Sequence, residues 1–357
     1  MLPTVACSAA RLVAVPRVLD VSRGAIDRLV PTLVDAEFAL ANAVVVTGPG
    51  PTARTGERVA AALRSAGYEA VIVVATQGSY AEAEKVGKKA RADGATLLLA
   101  VGGGRVIDTA KKAGQAADLD VISIPTSIAN DGLSSPIAAL TDAAGRHTSV
   151  SARMPAGVVV DVDVAASAPT VTLRAGLGDL LSNITAVLDW RLAHDQGQDS
   201  YDAYAALIAE AAATPALGIR SLRSIESLEL LARGLVLSGL AMATAGTSRP
   251  CSGSEHLFSH ALDQMLGSGA RLHGEQVALG TLLIMTAHGR STEQLHEVFM
   301  SAGLPTHPSD LDLQAETIVE ALLLAPSTRP DRFTVLSRLQ LDERQARALV
   351  ERTFLLR

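Results

Sequence analysis

The sequence predicts an α/β N-terminal domain built on a parallel sheet, followed by an all-α C-terminal domain. Two patterns carry the prediction. In the first half, short β-branched runs alternate with amphipathic helical stretches. Strands separated by one helix each must cross over, which makes a parallel sheet covered on both faces. In the second half, alanine- and leucine-rich stretches follow one another and no strand series returns. The 357 residues are 48% hydrophobic and 19% charged, enough for a sizeable core. A prior of roughly 150 residues per domain points to two domains.

The elements follow in order. The first fifteen residues are mostly apolar but interrupted by Arg11, with Pro16 and Arg17 after them, so an opening strand is expected there rather than a signal peptide. A strand over 43–47 leads through Gly48-Pro49-Gly50-Pro51 into a helix over 54–65. Strand 69–75, helix 80–92, strand 95–101, helix 105–116 and strand 121–125 continue the alternation. Runs over 137–140 and 148–151 flank Asp142-Ala143-Ala144-Gly145, a hairpin turn, and 158–162 is a last strand. Helices are expected over 174–194, 201–213, 227–245, 274–287, 315–324 and 343–354. The change of character near 163–170 divides the chain into domains at 1–165 and 166–357.

Composition narrows the function. With 31 basic and 37 acidic residues, a net charge of -6 and no Lys/Arg run, no nucleic-acid partner is expected. Aromatics at 3% disfavour stacking platforms. Apolar runs such as 95–101 fall far short of a membrane span, so no membrane partner is expected. Two cysteines, Cys7 and Cys251, cannot form a disulfide framework, which fits a reduced cytoplasmic setting.

In open parallel sheets ligands sit at the carboxyl ends of the strands, so the loops beginning at Gly48, Gly102 and Pro125 are the places to look. Gly102-Gly103-Gly104 follows an apolar strand and opens a helix, with Asp108 one turn inside. Glycines let the backbone approach an anion, and the helix N-terminus supplies unpaired N–H groups, which suits a pyrophosphate. The spacing is not that of the Rossmann fingerprint, and a tight strand-to-helix turn explains the glycines equally well. Residues 125–136 are dense in hydroxyls and amides around the carboxylate of Asp131. They make a ligand loop or a polar connector. In the helical half, His256 and His260 are four apart and share a helix face next to Glu255. His273 and Glu275 open another helix, and Asp179 follows Gly176-Leu177-Gly178. Spacing alone leaves a metal-ligand set open among these six residues.

Three segments together resemble one family. They are Gly102-Gly103-Gly104-Arg105-Val106-Ile107-Asp108-Thr109-Ala110-Lys111, then Pro125-Thr126 through Asp131-Gly132-Leu133-Ser134-Ser135-Pro136, and the stretch 238–263 that contains Ser248-Arg249-Pro250-Cys251-Ser252-Gly253-Ser254-Glu255-His256. They are similar to the metal-dependent polyol dehydrogenases related to glycerol dehydrogenase and dehydroquinate synthase, and within these to the sn-glycerol-1-phosphate dehydrogenases. The resemblance covers essentially the whole chain. It implies a dehydroquinate synthase-like fold, with a nucleotide-binding α/β domain first and a helical metal- and substrate-binding domain second.

The resemblance implies Asp179, His256 and His273 as ligands of one divalent metal, zinc being the first choice, with His260 outside the ligand set. It implies NAD(P)H held at Gly102, Gly103, Gly104, Asp108, Thr126, Ser127 and Gly48. Asp131 is then the catalytic candidate, with Asp131, Asn130, Ser135 and Arg249 towards the substrate; Arg249 suits either a phosphate contact or a tie between helices. Relatives that insist on NAD often carry an acidic residue near Gly48, so both cofactors are expected here. Asn130 stands where the family has His, and Arg105 where Lys is usual. An amide at 130 can orient but cannot shuttle protons.

The implied reaction is reversible hydride transfer between dihydroxyacetone phosphate and sn-glycerol 1-phosphate. The alternative is a related dehydrogenase acting on another small polyol, aldehyde or phosphonate, which Asn130 favours. A sugar-phosphate cyclase is a further reading that the segment around His256 argues against. The expected partners are a small phosphorylated substrate and further copies of the chain.

Overall fold

A computed structural model describes residues 13–354. Cys7 and most of the expected opening strand lie outside the described residues. The first described strand is β1 (Val18–Ser22). Helix α1 (Leu29–Asp35) follows, then β2 (Asn42–Thr47), α2 (Pro51–Ser65), β3 (Glu69–Val74), α3 (Tyr80–Ala92), β4 (Leu97–Gly102), α4 (Gly104–Ala117) and β5 (Val121–Pro125). The hairpin β6 (Ile137–Thr141) and β7 (His147–Ser151) precedes β8 (Gly157–Asp161).

The main sheet has six strands in the order β1-β8-β5-β4-β2-β3, every neighbouring pair parallel. β4, β5 and β8 are buried along their whole length, as continuous apolar strands between two helical layers must be. Successive side chains point to opposite faces. Val45 and Leu99 pack with Leu29, Leu33, Val59 and Leu63 of α1 and α2. Val44, Val46 and Leu98 pack with Val86, Val106 and Ile107 of α3 and α4. The helices that follow the adjacent strands β2 and β4 therefore cover opposite faces. Such a reversal opens a crevice at the carboxyl ends of the two strands, and it sets the Gly48 and Gly102 loops side by side.

The second of these cores runs without a break into the helical half through Ile128, Leu177, Leu180 and Leu235. That half consists of α5 (Val162–Ala166), α6 (Thr170–Leu181), α7 (Asn183–Asp195), α8 (Ala203–Ala213), α9 (Ile225–Ala245), α10 (Ser254–Leu266), α11 (His273–Ala287), α12 (Glu293–Ala302), α13 (Ala315–Thr328), α14 (Val335–Leu339) and α15 (Glu343–Phe354). No strand follows β8 among the described residues.

The helix expected over 174–194 is two helices, α6 and α7, broken at Ser182. The Ser182 hydroxyl donates to the Asp179 carbonyl (2.7 Å) and the Thr185 hydroxyl to the Ser182 carbonyl (2.9 Å). The Ser182 hydroxyl thus takes the Asp179 carbonyl at the break, while the Ser182 carbonyl still accepts from the Ala186 N–H at 2.9 Å. Helices α1, α5, α12 and α14 were not anticipated, since each is short or lacks a sustained apolar stripe. Helix α9, with 21 residues and a mean hydropathy of 1.4 over its most apolar 18, is long and apolar enough to cross a membrane, against the expectation from the short apolar runs. Its most apolar stretch is 61% buried inside the protein, where it packs as a core helix.

Candidate active site

Three ligand atoms converge where α6, α10 and α11 meet. One donor atom each from Asp179, His256 and His273 lies within 4.8 Å of the others. The Asp179 carboxylate is 3.5 Å from His256 Nε2 and 3.8 Å from His273 Nε2. Of the six candidates left open by spacing, these three meet.

Each imidazole is held by its other nitrogen. His256 Nδ1 pairs with the Glu255 carboxylate at 2.9 Å, and His273 Nδ1 with the Ser259 hydroxyl at 2.9 Å. Both Nε2 atoms are left facing Asp179. This outer hydrogen bonding, which sets tautomer and ring orientation, is what a metal-binding histidine requires. Glu255, 0% exposed, is itself fixed by the Thr185 hydroxyl at 2.9 Å and the Gly253 N–H. It is a positioning residue rather than a ligand. Ser259 was not anticipated; its only signal was its place one turn after His256 on the same helix. His260 stacks on His273 with centroids 6.1 Å apart and lies outside the converging trio.

The electrostatics match a cation site. Burial opposes charging His256, yet its hydrogen bonds to Asp179 and Glu255 prevail and lift it to about 9. Burial also works against the Asp179 charge, and the hydrogen bond and charge of His256 overcome it, so Asp179 sits below the usual carboxylate range. Burial, and then the charge of His256, push His273 down. Two imidazoles and one carboxylate around a divalent ion leave an open coordination position and a net positive charge, so the donor set fits a metal.

The loop after β5 reaches this trio directly. The Asp131 backbone N–H donates to the Asp179 carboxylate at 2.9 Å. Burial, and then the charge of Asp179, push the Asp131 carboxyl up to about 8. Asn130 caps the turn Asp131–Leu133, its amide oxygen accepting from the Gly132 N–H at 3.0 Å. A Cβ on Gly104 would lie 3.7 Å from the Asn130 amide nitrogen, and one on Gly103 would lie 3.3 Å from the Ser127 hydroxyl. The glycine turn and the 125–136 loop are therefore opposing walls. The Thr126 N–H joins them by donating to the Gly102 carbonyl at 3.0 Å.

None of the three glycines of this turn has a positive φ, so space rather than backbone conformation explains them. A Cβ on Gly102 would come within 2.8 Å of Val106, and one on Gly48 within 3.3 Å of the same side chain. The two loops thus close around the start of α4. That helix has no side-chain cap, which leaves its first N–H groups to an anion. Arg105 donates to the Thr76 carbonyl at 3.1 Å and so ties the loop after β3 to the same helix start.

Three residues expected at the cofactor or substrate are held by partners within the protein. Asp108, expected at the cofactor, is buried; it ion-pairs with Lys111 at 2.8 Å and accepts from the Ala139 N–H at 3.0 Å. Ser135, expected at the substrate, is buried and donates its hydroxyl to the Ile137 carbonyl at 3.3 Å. Arg249, expected at the substrate, pairs with Asp199 at 2.7 Å and donates to the Phe333 carbonyl at 2.7 Å. It is the tie between helices. In each case local partners absorb the polar group. Lys111, which was not singled out, has no exposed surface, and its ammonium donates to the carbonyls of Gly132, Ser135 and Ile137. It clamps the 131–137 loop against α4.

Comparison with known proteins agrees with this architecture. The profile of the family described as "Iron-containing alcohol dehydrogenase" matches residues 20–169. The chain is 38% identical over 336 residues to the glycerol-1-phosphate dehydrogenase (NAD(P)+) of Methanosarcina acetivorans, covering 93% of this chain and 94% of that protein. It is 38% identical over 299 residues to the protein of the same name from Thermococcus kodakarensis, covering 83% and 85%. The crystal structure of glycerol dehydrogenase from Schizosaccharomyces pombe superposes with a TM-score of 0.75 at 19% identity, over 97% of this chain and 91% of that one, a likeness of fold. Identity at this level over nearly the whole length of both proteins places the chain in the glycerol-1-phosphate dehydrogenase family.

Proposed function

We propose that the protein is a metal-dependent, NAD(P)-linked dehydrogenase that interconverts dihydroxyacetone phosphate and sn-glycerol 1-phosphate. The observation that carries the reading is the convergence of Asp179, His256 and His273 beside Asp131, next to the glycine turn. A divalent cation on these three residues supplies a Lewis acid for the substrate oxygen, and the nicotinamide supplies or accepts the hydride. Zinc is the ion proposed, because two histidines and one carboxylate with an open position suit it.

The chain's own residues do the rest. Glu255 and Ser259 hold the two imidazoles, so little reorganisation is needed when the substrate arrives. Gly102, Gly103, Gly104 and the uncapped start of α4 receive the pyrophosphate. Ser127 and Thr126 form the opposite wall. Gly48 carries no carboxylate to repel a 2′-phosphate, so both NADH and NADPH are accepted. Asp131, buried beside Asp179, offers a carboxyl oxygen at which a proton can be exchanged. Asn130 orients and does not titrate.

The test joins elemental analysis to a substrate panel of dihydroxyacetone phosphate, dihydroxyacetone and glycerol, run with both cofactors. One bound divalent ion per chain and turnover of dihydroxyacetone phosphate are expected. Undiminished turnover after chelation overturns the reading. The amide of Asn130, where a titrating group was expected, favours a second reading, a dehydrogenase of another small polyol, aldehyde or phosphonate. Turnover confined to such substrates would establish it.

A further inference from the structure

Ser259, which pairs with His273 Nδ1 at 2.9 Å, is itself held by a further residue. The Gln276 amide nitrogen donates to the Ser259 hydroxyl at 3.0 Å and to the Asp263 carboxylate at 2.9 Å. An ionised carboxylate only accepts, so Asp263 turns the NH2 end of the amide towards α10. Helical spacing makes the arrangement possible. Ser259 and Asp263 are four apart on α10, and His273 and Gln276 are three apart on α11, so each pair shares a helix face. The four side chains form one hydrogen-bonded series between the two helices, from Asp263 through Gln276 and Ser259 to His273.

Gln276 has no exposed surface, and its amide oxygen has no hydrogen-bond partner among the described residues. The next residues of α11, Val277, Ala278 and Leu279, are apolar and fully buried. A half-satisfied amide in such a place costs more than an apolar side chain of the same size. Packing alone does not account for glutamine here; its two N–H donors do. A metal on His273 Nε2 requires the imidazole proton on Nδ1, which then donates to Ser259. A hydroxyl has two acceptor lone pairs and one proton. The Gln276 N–H fills one lone pair and the His273 N–H the other, so the hydroxyl acts as acceptor towards both. With the amide gone, the hydroxyl is free to turn its own proton towards Nδ1. That selects the tautomer with its proton on Nε2, where the metal has to bind.

We propose that Gln276, oriented by Asp263, is a positioning residue of the metal centre: it keeps the Ser259 hydroxyl an acceptor and so holds His273 in the tautomer and ring orientation that bind the cation. The inference rests on the metal-dependent function proposed above and extends the support of that site by two residues. Gln276 acts through Ser259 and touches neither the ion nor the substrate.

The experiment compares the full-length wild type with Gln276→Met, Ser259→Ala, the double variant and Asp263→Ala. The readouts are zinc affinity by chelator competition, the visible absorption spectrum of the cobalt(II)-loaded protein, and thermal melting of the metal-free protein. Gln276→Met is expected to bind zinc about 10- to 100-fold more weakly, the scale for losing a partner of a metal ligand, and to change the cobalt spectrum. Its metal-free melting stays the same or rises, because an apolar chain replaces a half-satisfied amide; a merely structural role would lower it. Ser259→Ala loses affinity on the same scale, and the double variant binds no more weakly than Ser259→Ala alone, since the two act in series. Asp263→Ala shows a smaller loss in the same direction. Wild-type zinc affinity and spectrum in Gln276→Met overturn the proposal, and so do losses that multiply in the double variant. Should Gln276→Met not fold, unchanged zinc affinity in Asp263→Ala, at the half-buried end of the series, overturns it. A wild type that binds no divalent ion overturns the metal-dependent reading and this inference with it, whereas a zinc-binding wild type matched by Gln276→Met overturns this inference alone.

Discussion

Gly178 and Gly274 bring two helices into backbone contact. A Cβ on Gly178 would lie 2.2 Å from the Gly274 carbonyl oxygen, and one on Gly274 would lie 1.9 Å from the Ala175 carbonyl oxygen. Each glycine neighbours a proposed ligand, so this contact carries Asp179 to within 3.8 Å of His273. Gly274→Ala must push α6 and α11 apart. A stability loss of about 1–3 kcal/mol is expected, as for overpacked cores. Metal affinity should fall at least tenfold. Urea unfolding and chelator competition measure the two.

Asp179→Asn removes the carboxylate around which the imidazoles gather. The expected variant is folded, retains no stoichiometric metal and has no measurable turnover. It still binds NADH, because the glycine turn lies on a different element. Elemental analysis and cofactor fluorescence check this. Stripping the metal from the wild type should reproduce it.

Asp131→Asn keeps the shape of the loop and its N–H bond to Asp179 but removes the titrating group. The kcat is expected to fall about 100-fold or more, the usual range for losing a general acid–base group. Metal content and cofactor affinity should be unchanged. An undiminished kcat would show that protons leave by another route.

Lys111→Met puts an apolar chain of similar length where a fully buried ammonium holds three carbonyls and the Asp108 carboxylate. The carboxylate is left buried without its counter-charge. A loss of about 3 kcal/mol or more is expected, the scale for breaking a buried pair from one side. Chemical denaturation measures it, and Asp108→Asn in the same background should recover part of it.

Glu82 accepts from the backbone N–H groups of Thr76, Gln77 and Gly78 at 2.7, 2.9 and 2.8 Å. Burial raises its pKa, but the three N–H donors outweigh burial and hold it below the usual 4.5. A carboxylate with a depressed folded pKa contributes its full stability above 4.5 and loses it as pH falls through the folded value. Glu82→Gln should therefore be less stable than the wild type at pH 7, by about 1–2 kcal/mol on the scale of charged hydrogen bonds. The difference should shrink towards zero as pH falls through the folded value. Melting curves from pH 3 to 7 test the sign. NADH affinity should also fall, since this loop leans on Arg105 at the glycine turn.

Periodicity and turn chemistry in the chain were enough for the alternating strands and helices of the first half, the parallel pairing they force, the 137–151 hairpin and the glycine turn at a strand end. These are local properties, repeated every few residues. The break at Ser182 was hidden because its cause is side-chain hydrogen bonding inside an otherwise unbroken helical pattern.

The site divides the same way. Histidines and carboxylates of the right kind were visible among apolar helices. Spacing could not choose three from six, because Asp179, His256 and His273 sit on three helices whose approach depends on glycines packed against distant backbone. The same reason explains Asp108, Ser135 and Arg249. A polar side chain in a promising motif is available to a ligand only if no nearer partner takes it. Lys111, Ile137 and Asp199 became those partners once the chain had folded. Local chemistry supplies the candidates, and long-range packing settles which of them remain free.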